Sequence, residues 1–94
     1  MPSEKEIEGK ACRYAKAAGC WVRKFTSPGQ RAAPDRIFMT TRGVVFFIEF
    51  KAPGKRPTPL QQREINIIRS KGGHAHWADN LEDAKAIIDG YCMI

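Results

Sequence analysis

Two apolar runs joined by a short turn constrain this chain more than any other feature. Pro34-Asp35-Arg36-Ile37-Phe38-Met39 is followed, after Thr41-Arg42-Gly43, by Val44-Val45-Phe46-Phe47-Ile48-Glu49-Phe50-Lys51. β-Branched and aromatic residues dominate both runs, and Gly43 supplies the backbone freedom a tight hairpin needs. In an antiparallel hairpin the start of the first strand lies beside the end of the second. Asp35 and Glu49 are therefore expected side by side, with Lys51 next to them. Side chains alternate along a strand, so Val45, Phe47, Glu49 and Lys51 share one face while Val44, Phe46, Ile48 and Phe50 take the other. Apolar residues on both faces predict a central strand covered on both sides.

Two carboxylates and a lysine at the end of such a strand carry a chemical meaning. Paired carboxylates hold a hard divalent cation through oxygen. The cation polarises a phosphoryl group and lowers the pKa of bound water, and a neighbouring ammonium orients that water or stabilises developing negative charge. Charge favours the same substrate class: 16 Lys and Arg against 10 Asp and Glu give a net +6, which suits a polyanionic partner. A basic nucleic-acid-binding module that does not cut explains the charge equally well. It does not explain why two acids converge with a lysine in a basic protein, since carboxylates beside a phosphate track weaken binding unless a cation sits between them.

The 94 residues are expected to form one domain, 1–94. Cys12, Cys20 and Cys92 contain no C-x-x-C and cannot all pair within one chain. That spacing points to a reduced, cytoplasmic setting and away from thiol redox chemistry. No apolar run approaches the ~18 residues of a membrane span, and Met1 to Glu6 is too charged for a signal peptide.

Ser3 and Glu6 predict a capping box and a helix from about residue 4, ended by Gly19. Ile7, Ala11, Tyr14, Ala15 and Ala18 form its apolar face. Glu8 lies on the border of that face. A glutamate near a helix start favours the helix dipole, but one at this boundary can also reach towards Asp35 and Glu49. Cys20 to Phe25 reads as the first strand, and Thr26 to Ala33 as a loop whose only charge is Arg31. Ser27 and Gln30 in that loop can donate to phosphate or simply shape the turn. Ala52 to Pro57 is a basic loop that leaves the acid-bearing strand directly, so Lys55 and Arg56 stand where a phosphate backbone would pass.

Thr58 is an N-cap, Pro59 sits at the first helical position and Gln61 at the third, so Gln61 is explained as the partner in a capping box. Leu60, Ile67 and Ile68 are expected to form the buried stripe of this helix, extended by Ile65, with Gln62, Arg63, Arg69 and Lys71 exposed. Gly72-Gly73 stops it. His74 to Ala78 is the fourth strand, and its two histidines lack a third ligand at recognisable spacing. Asn80 caps a last helix carrying Leu81, Ala84, Ile87 and Ile88, ended by Gly90. The apolar tail Tyr91-Cys92-Met93-Ile94 then packs on the core or on a second subunit, and the latter predicts a homodimer.

Pro34-Asp35 followed by Glu49-Phe50-Lys51 resembles the signature of the PD-(D/E)XK nuclease superfamily. The helical Glu8 and the downstream Thr58-Pro59-Leu60-Gln61 make the chain most similar to the VRR-NUC domains found alone in phage proteins, over roughly Glu4 to Ile88. One departure is that Ala32-Ala33 precede Pro34, with Gly29 further upstream, where the family usually keeps a glycine close to the proline. The resemblance implies a restriction-endonuclease-like α/β fold, a mixed sheet flanked by helices in the order α-β-β-β-α-β-α. It implies an Mg²⁺- or Mn²⁺-dependent endonuclease with DNA, duplex or branched, as substrate. Asp35, Glu49 and the Phe50 carbonyl would hold the metal, Glu8 would be a direct or outer ligand, and Lys51 would position the attacking water. It instead turns the Gln61 amide towards the active site to assist water or phosphate, an alternative to the capping role that the sequence does not separate. Paired nicking of four-way junctions by a twofold dimer is what the resolvase-like members of the superfamily do.

Overall fold

The computed structural model, described for residues 1–93, runs α1 (Glu4–Ala17), β1 (Trp21–Lys24), β2 (Arg36–Met39), β3 (Val45–Phe50), α2 (Pro59–Ser70), β4 (Ala75–Ala78) and α3 (Leu81–Cys92). This is the order read from the sequence. The four strands lie side by side as β1-β2-β3-β4, with β1–β2 and β2–β3 antiparallel and β3–β4 parallel. A parallel pair needs a crossover rather than a hairpin, and α2 provides it. The β2–β3 hairpin closes through Thr40, whose N–H donates to the Val44 carbonyl while its Oγ1 accepts from the Arg42 and Val44 amides. Among the described residues no helix is long and apolar enough to cross a membrane.

Residue parity sorts the sheet into two unlike faces. Phe38, Phe46, Ile48 and Phe50 are fully buried against Ile7, Ala11 and Ala15 of α1 and Ala84 and Ile88 of α3. Phe38 stacks on Phe46 with ring centroids 4.8 Å apart, and Phe46 stacks on Tyr91 at 4.5 Å. The opposite face, with Val45, Phe47 and Glu49, is less completely covered than the alternation in β3 predicts. Its helix, α2, packs against β4, and Trp21 and Met39, which register together on β1 and β2, stay 45% and 38% exposed.

Three sequence expectations need correction. The stripe of α2 is not Leu60–Ile67–Ile68: Leu60 is 65% and Ile67 40% exposed, and Ile65 is the buried residue at 1%. A helix turns 100° per residue, so Ile65 lies on the far side of the axis from Leu60 and Ile67 and shares its row with Gln61 and Ile68. The face that meets the sheet is therefore Gln61–Ile65–Ile68. Ala18, placed on the apolar face of α1, is instead its exposed C-cap. The chain reverses there through Gly19 at φ 92°, where a Cβ would stand 2.8 Å from the Thr41 methyl, so only glycine fits. Finally, Gly90 does not end α3, which continues to Cys92. The ~1 kcal/mol that an interior glycine costs a helix is offset by Tyr91, which folds back onto Phe46 instead of facing outward. Met93 is 86% exposed, and Ile94 lies outside the described residues.

Candidate active site

Asp35 directly precedes β2, and the β2–β3 register pairs Arg36 with Ile48, so Asp35 continues the ladder opposite Glu49. Its Oδ2 accepts the Phe50 N–H at 2.9 Å, which fixes the carboxylate at the end of β3. Pro34, itself buried, rigidifies the approach. Along β3 the Phe47 and Lys51 amides donate to the carbonyls of His74, just before β4, and Ala78, at its end. The Phe50 N–H therefore faces β2, and in an extended strand its carbonyl shares that edge.

Glu49 points to the α2 side and is 4% exposed. The Gln61 amide donates from Nε2 to Glu49 Oε2 at 3.1 Å, while its Oε1 accepts the Thr58 N–H at 2.9 Å. The capping and the site-facing roles of Gln61, alternatives in the sequence, are held by one side chain at once. Lys51 Nζ stands 3.6 Å from the same Glu49 Oε2. Glu49 Oε1 is the one buried side-chain polar atom among the described residues with no hydrogen-bond partner. Burial, reinforced by the charge of Asp35 and opposed by Lys51, pushes the Glu49 carboxyl up from 4.5 to about 7. Burial also raises Asp35, against the lowering effect of the Phe50 N–H and with the charge of Glu8 adding to it. Two desolvated carboxyls, one with an unsatisfied oxygen, are an arrangement that a divalent cation relieves. The residues present fit such an ion.

Glu8 reaches this end of the sheet from α1, but its Oε2 is taken by Arg36 Nε at 2.5 Å. Among the described residues no three His, Cys, Asp or Glu side chains converge as a metal cluster, so Asp35 and Glu49 stand as a pair with Glu8 beside them. Arg36 was not singled out from the sequence. The available signal was parity, because it shares the face of Phe38, where a half-buried cation needs a partner under α1. His76 lies on that same face, with Nε2 2.5 Å from the Tyr91 hydroxyl, away from the carboxylates.

Two openings flank the pair. A hollow of about 310 Å³ is lined by Lys24, Ser27, Arg31 and Asp35, so the loop residues Ser27 and Arg31 are brought to the site together with a lysine the sequence reading overlooked. A larger groove of about 740 Å³ runs between the 26–33 loop and α2, lined by Gln30, Arg31, Leu60, Gln61, Arg63 and Ile67 among others. Gln61 belongs to both the groove and the carboxylate cluster. Lys55 and Arg56 are exposed on the 52–57 loop, which Asp79 holds through the Gly54 N–H at 3.1 Å. They line neither opening.

No family model matches the chain. A curated protein named "Putative nuclease p44", from Acyrthosiphon pisum secondary endosymbiont phage 1, is 43% identical over 61 residues, or 65% of this chain and 66% of that protein. The chain thus spans just under two thirds of the length of that relative. A solved structure described as "VRR_NUC domain" superposes with a TM-score of 0.76 at 31% identity, covering 90% of this chain and 97% of the other. A second, "VRR_NUC domain protein", gives 0.79 at 18% identity over 98% and 89% of the two chains and is similar in fold.

Proposed function

The chain belongs to the VRR-NUC family, and from that premise we propose that it is a nuclease hydrolysing phosphodiester bonds of DNA with Mg²⁺ or Mn²⁺. The observation that carries the proposal is the buried Glu49 carboxylate beside Asp35, with one oxygen unsatisfied, in a chain of net charge +6. Asp35, Glu49 and the Phe50 carbonyl would hold the ion. Bound there, the ion supplies Lewis-acid activation of the phosphoryl group and of a water.

The chain's own residues prepare that event. The Phe50 N–H fixes one oxygen of Asp35, and Gln61 fixes one oxygen of Glu49. Thr58 in turn anchors Gln61, so the amide cannot rotate away. Lys51 presents its ammonium beside Glu49, where it orients the attacking water and stabilises negative charge on the phosphoryl oxygens. Glu8, tied to Arg36, acts as an outer orienter of Asp35. Ser27, Arg31 and Lys24 meet phosphates on one side of the pair, while Lys55 and Arg56 meet the backbone further out.

The groove supports selectivity for branched DNA. Leu60 and Ile67 rim it beside Arg31 and Arg63. A continuous duplex presents phosphates and sugars outward, whereas the flat apolar faces of bases are offered where strands separate. Junctions and flaps provide such strands next to duplex. A homodimer would present two such sites to a symmetric junction. Support for it comes from exposed Trp21, Met39 and Met93 and from β4 as a terminal strand of the sheet.

Purified protein incubated with four-way, flapped and linear DNA, with Mg²⁺, with Mn²⁺ and with chelator, tests the proposal. Metal-dependent cleavage with branched substrates cut first is expected. Binding without cleavage in either metal would support the non-catalytic module instead. Sedimentation at micromolar concentration tests the dimer, and a mass of 10.6 kDa rather than twice that would remove it.

A further inference from the structure

Two of the three cysteines, 72 positions apart, meet in the fold. Cys20 Sγ lies 3.4 Å from Cys92 Sγ. From this juxtaposition we infer that Cys20 and Cys92 form a dithiol site that closes to an intramolecular disulfide by exchange with a low-molecular-weight disulfide such as oxidised glutathione.

The pair is held by structure on both sides. Cys20 follows the Gly19 reversal, and its N–H donates to the Ala15 carbonyl at 3.0 Å. Its side chain faces the α1–α3 side of the sheet and is buried. Cys92 is the last residue of α3 and is half-buried. Two residues of the neighbouring turns also bind α3 to α1, since the Tyr14 hydroxyl donates to Asp89 Oδ1 at 2.7 Å. A disulfide has S–S of ~2.05 Å, so the sulfurs need to approach by a little over 1 Å.

Accessibility orders the chemistry. Cys92, the more exposed thiol, attacks as thiolate on one sulfur of the external disulfide and releases one equivalent of the small thiol. The Cys20 thiol, which burial and the Cys92 sulfur hold at about 12, then gives up its proton to solvent base and attacks Cys92 Sγ. The second small thiol leaves. Two protein thiols are oxidised by two electrons, and one small disulfide is reduced to two thiols. In a reducing compartment the pair rests as the dithiol and closes when the disulfide fraction rises.

The closed ring would include residues 20 to 92, nearly the whole chain, and would clamp the end of α3 to the start of β1. It lies away from Glu49 and Lys51, on the other face of the sheet. Closure therefore raises resistance to unfolding without altering the cleavage site. Cys12 is an internal control: it is buried beside the Glu8–Arg36 pair and has no sulfur partner among the described contacts.

The test equilibrates the full chain in glutathione buffers of increasing disulfide fraction, followed by alkylation, peptide mapping and thermal melting. The expected product is a chain with no covalent link to another that has lost two hydrogens, with Cys20 linked to Cys92 and Cys12 still free. Its melting temperature should rise by about 10 °C or more, the effect of closing so long a loop in a domain of this size. Cys92→Ser and Cys20→Ser should each abolish the rise, and Cys12→Ser should keep it. If Cys20→Ser does not fold, Cys92→Ser and peptide mapping of the wild type still decide. A persistent glutathione adduct at Cys92, a disulfide between chains, or three thiols that remain free would each overturn the inference.

Discussion

The two faces of the sheet are built from alternate residues of the same strands, and they serve opposite ends. On the α1–α3 face, Phe38, Phe46, Ile48 and Phe50 are fully buried and their rings stack through to Tyr91. On the α2 face, Trp21 and Met39 remain exposed, α2 shows Leu60 and Ile67 to a groove, and a carboxylate is buried with one oxygen unsatisfied. Stability is concentrated on the sealed face. The open face stores an electrostatic cost at Glu49 and leaves apolar surface uncovered. A protein keeps such features where a ligand compensates them.

Four substitutions or conditions would break or sharpen this contrast. The largest effect is expected on the sealed face: Phe46→Ala should cost about 3–5 kcal/mol by emptying the centre of the aromatic stack, read as a collapse of the denaturant midpoint. Next is the charge state of Glu49. Its carboxyl is held at about 7 in the fold against 4.5 in water, so the folded chain retains that proton between these values. The contribution to stability, about 3 kcal/mol, is present below pH 4.5 and is lost as pH rises through 7. Melting curves in chelator at pH 5 and pH 8 should show this loss relative to Glu49→Gln, in which it disappears. Adding Mn²⁺ at pH 8 should restore stability to the wild type alone.

Lys51→Ala comes third, lowering cleavage by ~10²-fold or more while metal affinity and the melting temperature change little. Lys51→Arg should rescue poorly, because a planar guanidinium does not replace a compact ammonium. Unchanged cleavage in Lys51→Ala would remove its catalytic role. The smallest effect belongs to the groove. Leu60→Ser and Ile67→Ser should shift stability by no more than ~0.5 kcal/mol, yet weaken binding of branched DNA in Ca²⁺ more than that of linear duplex. Equal weakening of both would unlink the groove from selectivity.

Element order and the alternation that builds the sealed face were legible because their signals are local. Alternation in β3, Gly43 in the turn and Ser3 at the start of α1 each act within a few residues, and element order followed from them. The meeting of Asp35 and Glu49 was legible for the same reason, since hairpin geometry alone sets it. What was harder to read lies on both faces. In α2 the larger apolar residues, Leu60 and Ile67, drew the stripe to the wrong side, although Gln61 and Ile65 are four apart and already marked a polar residue on the inward row. Gly90 was read as a stop because the stacking of Tyr91 on Phe46 is a long-range contact. The approach of Cys20 to Cys92 and the pairing of Glu8 with Arg36 are likewise long-range, and no local pattern encodes them.

The central claim is that Asp35 and Glu49 together hold one divalent cation. Calorimetric titration of the DNA-free protein with Mn²⁺ at pH 8 tests it most directly, using the wild type, Asp35→Asn and Glu49→Gln. The account predicts one site in the wild type that is lost in both variants, each still folded by circular dichroism. Mn²⁺ binding that survives unchanged in both variants would contradict it.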